Sequence, residues 1–259
     1  MAKPRRVQQP RGWAFGFCVA LVEPFLLLFT KRRWRGGENI PPAGGCVLAV
    51  NHISHFDPFT CAHFVYSWGR IVRFLAKAEI FELPVLGAIV RNAGQIPVYR
   101  LTSDASLSFT AAVAAVREGQ CVVVYPEGTI TRQHDLWPMR GKTGAARIAL
   151  ASGAPVIPMA QWGAQQVLAP YSLRFRLLPR KTISMSAGRP VDLERLRGLE
   201  PTPEVLQEAT RRIMDEITRL LEEIRGGRAP ADRFDPRTAG VRPIGNPHLH
   251  TPSRSRWRR

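Results

Sequence analysis

Cysteine is scarce in this 259-residue chain, which holds four: Cys18, Cys46, Cys61 and Cys121. Without paired spacing they exclude a disulfide scaffold and a zinc ribbon, and they favour a reducing, cytosol-facing compartment. Each lies in an apolar run and reads as a small packing residue. Internal repeats are lacking too, and a composition of 45% hydrophobic and 22% charged residues excludes a collagen, a long coiled coil and a wholly disordered chain. Acidic residues are few, 20 against 37 basic ones, for a net charge of +17, and lysine is nearly absent, so the positive charge is carried by arginine. That charge sits at the ends. Residues 1–35 carry eight basic residues against Glu23 alone, and residues 226–259 carry eight arginines against two aspartates. The stretch between them is left with only +4. Basic ends imply an anionic partner, either an anionic lipid surface or a nucleic acid. A nucleic-acid binder interleaves stacking aromatics with its basic residues, and the tail offers only Phe234 and Trp257, so no nucleic-acid partner is expected.

One apolar run approaches the length of a membrane span, residues 12–30. Glu23 stands at its centre, where an acid costs roughly 2.5–3.5 kcal/mol on insertion scales, and Pro24 beside it would kink or break a helix. Both flanks are basic, whereas an oriented span wants that excess on one side. The run also ends in a basic cluster and lacks the small-residue site of a cleaved leader. Residues 1–35 are therefore expected to be a membrane-associating segment of two short helices dipping into one leaflet, which makes the protein peripheral or monotopic.

From Cys46 onward short apolar runs alternate with helical stretches. Strands are expected at CVLAV (46–50), IVRFLAK (71–77), QIPVYR (95–100), CVVV (121–124) and PVIPMA (155–160), then at LRFRLL (173–178) and TISMSAG (182–188). Helices are expected after the first of these to about Trp68, at about 85–92, from Ser103 or Asp104 to Gly119, at 142–152, and from Pro203 to Arg225. The last is capped by Thr202 and stopped by Gly226-Gly227. This predicts an α/β fold, a central mostly parallel mixed sheet with helices on both faces, over residues 36–225. Residues 226–259, rich in Gly, Pro and Arg without periodicity, are expected to be a disordered basic tail.

Chemistry concentrates at strand ends, where α/β proteins place ligands. Asn51-His52-Ile53-Ser54-His55-Phe56-Asp57-Pro58 follows the first core strand. His52 and Asp57 would stand about 140° apart on a continuous helix, so they can meet only across a turn. Meeting there, the carboxylate fixes the imidazole tautomer and leaves the other ring nitrogen free to take a proton. Tyr125-Pro126-Glu127-Gly128-Thr129 ends another core strand in a glycine turn whose N–H groups can cradle an anion, and Arg100 supplies a guanidinium. Competing readings lack parts. The Gly141-Lys142-Thr143 triplet has Leu136 where a P-loop needs glycine, no G-x-S-x-G elbow exists, and no later cluster completes a metal shell around His52, His55 and Asp57.

At these residues the chain resembles the glycerolipid acyltransferases, specifically the bacterial 1-acyl-glycerol-3-phosphate acyltransferases. NHISHFD holds that family's His, four residues, Asp; GQIPVYR its second block; YPEGT its third; and PVIPMA its fourth, with FLAKAEIFELPVLG and GKTGAARIAL also similar. The resemblance implies catalysis by His52 and Asp57 and an acceptor phosphate held by Arg100, Glu127, Gly128 and Thr129, with Glu127 positioning Arg100 or the loop. It implies a fatty acyl thioester of coenzyme A or acyl carrier protein as co-substrate, with no metal or other cofactor, and a place on the cytoplasmic face of the cell membrane. The product would be phosphatidic acid, in phospholipid biosynthesis. The third block usually reads EGTR; here Ile130 replaces the arginine, and Arg132, two residues on, is expected to take over its charge. Alternatives are the same chemistry on another lipid hydroxyl and a non-enzymatic basic membrane or nucleic-acid binding protein.

Overall fold

A computed structural model describes residues 5–7, 9–99 and 105–241. Seven strands, β1 (Thr30–Arg35), β2 (Cys46–Val50), β3 (Val72–Lys77), β4 (Ile96–Val98), β5 (Cys121–Val124), β6 (Val156–Trp162) and β7 (Lys181–Ala187), form one sheet in the order β1-β7-β6-β2-β5-β3-β4. Every pairing is parallel except β6 with β7, so the sheet is mixed and mostly parallel. Its centre, β2 and β5, is buried at every position, as β-branched and apolar runs covered on both faces require.

The helices are α1 (Trp13–Phe29), α2 (Asp57–Ser67), α3 (Ala78–Phe81), α4 (Pro84–Asn92), α5 (Ala105–Arg117), α6 (Gly144–Ser152), α7 (Ala164–Val167) and α8 (Pro203–Arg225). Alternate residues of the central strands feed two cores. Leu48, Val50, Val123, Ile157 and Met159 pack with Leu26 of α1 and Cys61, Phe64 and Val65 of α2, while Val47, Ala49, Val122 and Val124 pack with α5, α6 and α8. Helix α8 has the bounds its sequence predicts. Thr202 caps the Val205 N–H, Pro203 opens the first turn, and Gly226 closes the helix with φ +70°. Ala209, Ile213, Met214, Ile217, Leu220 and Leu221 recur at helical spacing along its buried stripe. Arg70, fully buried, donates to the carbonyls of Pro41, Gly44 and Gly119 and so ties together the loops that lead into β2 and β5.

Four expectations are corrected. The apolar run is one continuous helix, not two short ones, because Ala20 and Pro24 both lie on its exposed side, where an unbonded carbonyl costs little. The basic residues Lys31–Arg35 belong to the sheet: β1 pairs with β7, and charge on an edge strand discourages pairing with another chain. The sheet thus begins at Thr30, six residues before the expected start of the domain at residue 36. LRFRLL forms no strand beyond a bridge between Leu168 and Phe175, and Leu173 and Leu178 are highly exposed. Residues 226–241, expected to be disordered, pack on the domain because their polar groups find partners: Ala229 N–H bonds Glu222, Arg233 bonds Asp215 and Thr218, and Arg140 N–H bonds the Phe234 carbonyl. The rest of the tail and Ser103 and Asp104 lie outside the described residues, and among those described no helix is long and apolar enough to cross a membrane.

Candidate active site

The turn between β2 and α2 carries His52 and ends at Asp57, the first residue of α2. Asp57 Oδ2 lies 2.7 Å from His52 Nδ1 and accepts the backbone N–H groups of Ile53 (2.6 Å) and Ser54 (2.8 Å). Three donors on one oxygen of a fully buried carboxylate fix both the turn and the ring. The bond to Nδ1 leaves Nε2 as the ring's outward nitrogen, and the His52 side chain keeps 16% of its surface exposed, enough for a small group to reach it. The turn is braced by Ser54, whose hydroxyl donates to the Leu168 carbonyl and accepts the Phe56 N–H.

The glycine turn after β5 grips the same residue from the other side. Glu127 Oε1 accepts the His52 N–H at 2.9 Å, Oε2 accepts the Met139 N–H at 3.0 Å, and the Thr131 N–H donates to the His52 carbonyl at 2.8 Å. Burial pushes the Glu127 carboxyl up to about 8, against the opposing pull of those two N–H donors. Tyr125 stacks on the His52 ring at 4.2 Å and Phe74 stacks on Tyr125, so the imidazole has an aromatic wall. Gly128 adopts φ +70°, a conformation that calls for glycine, and the Lys142 side chain lies against it, its Nζ 2.9 Å from where a Cβ would stand. Thr129 follows it, and the Tyr171 hydroxyl donates to the next carbonyl, that of Ile130, at 2.9 Å.

Ile130 is buried at a bend of the chain, and Arg132 follows two residues on in irregular backbone. Arg132 is half-buried with its guanidinium 5.2 Å from the Tyr171 ring, which itself meets His55 edge-on at 6.1 Å. The structure therefore brings His52, Asp57, Glu127, Gly128 and Thr129 together, with Arg132 on the His55 side. Arg100 lies outside the described residues.

Asn51, Tyr125, Lys142 and Gln161 also stand at the site without a role expected from their sequence positions. Asn51 and Gln161, both fully buried, exchange three bonds: Asn51 Nδ2–H to the Gln161 carbonyl, Gln161 N–H to Asn51 Oδ1, and Gln161 Nε2–H to the Asn51 carbonyl. Gln161 Oε1 also accepts the Thr60 hydroxyl of α2. Asn51 and Tyr125 stand inside the NHISHFD and YPEGT blocks and Gln161 directly follows PVIPMA, so adjacency to a block is the available signal. A clamp across 110 residues was not legible in it.

A family model described as Acyltransferase matches residues 31–162. A chloroplastic 1-acyl-sn-glycerol-3-phosphate acyltransferase of Brassica napus is 31% identical over 142 residues, 54% of this chain and 40% of that protein. A 1-acyl-sn-glycerol-3-phosphate acyltransferase of Borreliella burgdorferi is 30% identical over 125 residues, 48% of each. The chain thus spans less than half the length of these two relatives. The crystal structure of the 1-acyl-sn-glycerophosphate acyltransferase PlsC from Thermotoga maritima superposes with a TM-score of 0.60 over 83% of each chain at 21% identity, a likeness of fold.

Proposed function

The chain belongs to the acyltransferase family, and from that premise we propose that it moves a fatty acyl group from a thioester to the free hydroxyl of 1-acyl-glycerol-3-phosphate, giving phosphatidic acid for phospholipid synthesis. The observation that carries this reading is the His52–Asp57 contact at 2.7 Å with Nε2 outward. Nε2 takes the proton of the acceptor hydroxyl as its oxygen attacks the thioester carbonyl, Asp57 stabilises the imidazolium, and the departing thiolate regains the proton from Nε2. A thiol of ordinary pKa, about 8.5, leaves readily, so one proton relay suffices and no metal or covalent enzyme intermediate enters. The Thr129 N–H serves the acceptor phosphate, with Arg100 and Arg132 as cations; Gly128, whose own N–H closes the turn on the Tyr125 carbonyl, gives the loop its shape, and Glu127 holds the backbone of His52. The thioester carrier is coenzyme A or acyl carrier protein.

In this reading the enzyme sits on the cytoplasmic face of the membrane, without spanning it. Trp13, Phe17, Leu21 and Leu28 are exposed on α1, and Phe25 of that helix meets Phe56 of the His–Asp turn, which in turn meets Phe175. An apolar path therefore runs from the outer face of α1 to the turn, as a lipid acceptor needs. Ile130 in place of the family's arginine supports a second reading, the same chemistry on a lipid hydroxyl whose headgroup is not a phosphate monoester. Lipid analysis after incubation with labelled acyl-coenzyme A or acyl carrier protein and a panel of acceptors decides. Acylation of lysophosphatidic acid is expected, and acylation of another lysolipid alone selects the second reading.

A further inference from the structure

Beside the glycine turn lies a cleft of about 840 Å³ between Glu127 and Thr129, the N-terminal half of α8 and residues 231–237. That is ample for a phosphorylated small molecule or headgroup. Its inner wall is the segment Met139–Lys142, fixed on three sides. Met139 N–H bonds Glu127 and Lys142 N–H bonds the Pro126 carbonyl; Gly141 abuts Met214 and Thr210 of α8 so closely that a Cβ would clash. On the outside the folded-back C-terminal strap holds the same segment, because Arg140 donates its N–H to Phe234 and its guanidinium to Asp235. Arg225, stacked between Trp137 and Trp162 at 3.9 and 4.2 Å, anchors the start of the strap.

This bracing sets the Lys142 ammonium directly against Gly128. We propose that Lys142 is the cation of a phosphoester subsite at the inner end of this cleft, and that the strap positions it. Lys142 thereby supplies, from outside the third block, the charge that Ile130 withholds within it. Acids also line the cleft, but Asp235 is bonded to Arg140 and Glu208 to Arg211 and Arg212, leaving Glu204 and Asp232. Glu127 turns both oxygens to backbone N–H groups, and its carboxyl, raised to about 8, is largely uncharged at neutral pH, so the floor does not repel an anion. The phosphoester belongs either to the acceptor lipid or to the carrier of the acyl group. The subsite deepens the acyltransferase reading and rests on it for the identity of its ligand.

Two measurements on the full chain test it: steady-state acyl transfer with each substrate varied, and calorimetric binding of sn-glycerol 3-phosphate and of adenosine 3′,5′-bisphosphate. Lys142→Ala is expected to raise one Michaelis constant about tenfold or more with kcat nearly unchanged, the scale of a lost charge-assisted contact, and Lys142→Arg to restore most of it. Asp235→Ala, which frees the strap from Arg140, should move the same constant by a smaller factor. A rise for the acceptor with weakened glycerol phosphate binding assigns the subsite to the acceptor; a rise for the donor with weakened bisphosphate binding assigns it to the carrier. If purified protein binds a probe through Lys142 yet transfers no acyl group, the subsite stands and the acyltransfer reading falls. Wild-type Michaelis constants and wild-type probe binding in Lys142→Ala overturn the subsite.

Discussion

Glu127 accepts the backbone N–H of His52 at 2.9 Å, so the turn after one central strand holds the main chain of the turn after its neighbour. Parallel pairing of β2 with β5 puts both turns at the same sheet edge, and the Thr131 N–H closes the clamp on the His52 carbonyl. The side chain of His52 is then set by its bond to Asp57 and by the stacked Tyr125 ring.

The two partners of that contact should fail differently. His52→Ala removes a ring whose one hydrogen bond among the described residues is to Asp57 and whose face stacks on Tyr125, so transfer should fall by about 10²–10⁴ while the melting temperature falls less than in Asp57→Ala. Asp57→Ala also strips the acceptor from two buried N–H groups, those of Ile53 and Ser54, each worth about 1–3 kcal/mol when left unbonded. Calorimetry beside turnover should show both activity and stability lost in Asp57→Ala. Near-normal turnover by His52→Ala would remove the proton-relay mechanism.

Glu127 also gives stability a pH signature. Its carboxyl is raised from 4.5 unfolded to about 8 folded, so the protonated form is favoured in the fold. That stabilisation is complete below about pH 4.5 and is lost as pH rises through 8. Glu127→Gln is neutral throughout but gives up one of the two acceptors. The variant should therefore be less stable than wild type at pH 5, with the gap shrinking or reversing by pH 9. A gap that stays constant in denaturant titrations across this range would mean the carboxyl titrates normally.

The exposed stripe on α1 gives a third prediction. Phe17 and Leu21 are 52% and 65% exposed, so aspartate at either position should cost the fold little. Each should weaken sedimentation with phosphatidylglycerol vesicles severalfold to tenfold, since burying such a side chain is worth roughly 1.5–3 kcal/mol. Unchanged vesicle binding by the double variant would move the membrane contact elsewhere.

Much of this was legible because it is local. CVLAV and CVVV are strands by composition, α8 declares both ends by its caps, and the His52–Asp57 spacing demands a turn. What was hidden depends on partners far away in the chain. LRFRLL has strand-like residues but, among the described residues, pairs only with Leu168 in a single bridge, whereas TKRRWR, basic enough to read as a flank, finds β7 some 150 residues on. Pro24 is compatible with one helix only because α1 exposes that side. The tail folds back because Arg233 and Asp235 meet Asp215 and Arg140, partners that Gly, Pro and Arg content cannot announce.

Gln161 tests whether such a distant partner matters for chemistry. Its side chain donates to the Asn51 carbonyl, one residue before His52, and accepts from Thr60, one turn of α2 beyond Asp57. It therefore bridges the two elements whose spacing sets the His52–Asp57 contact, while these bonds go to Asn51 and Thr60 and not to either residue. Gln161→Met keeps roughly the volume and loses both bonds. Thr60 still donates to the Asp57 carbonyl, but the Asn51 carbonyl is left without this donor, a cost of about 1–3 kcal/mol. If the bridge sets the geometry, kcat should drop about tenfold with both Michaelis constants unchanged, because no substrate contact is lost and only the proton relay is misaligned. If Gln161 only supports the fold, Gln161→Met will melt at a lower temperature yet turn over at the wild-type rate well below that temperature, and the positioning role will be wrong.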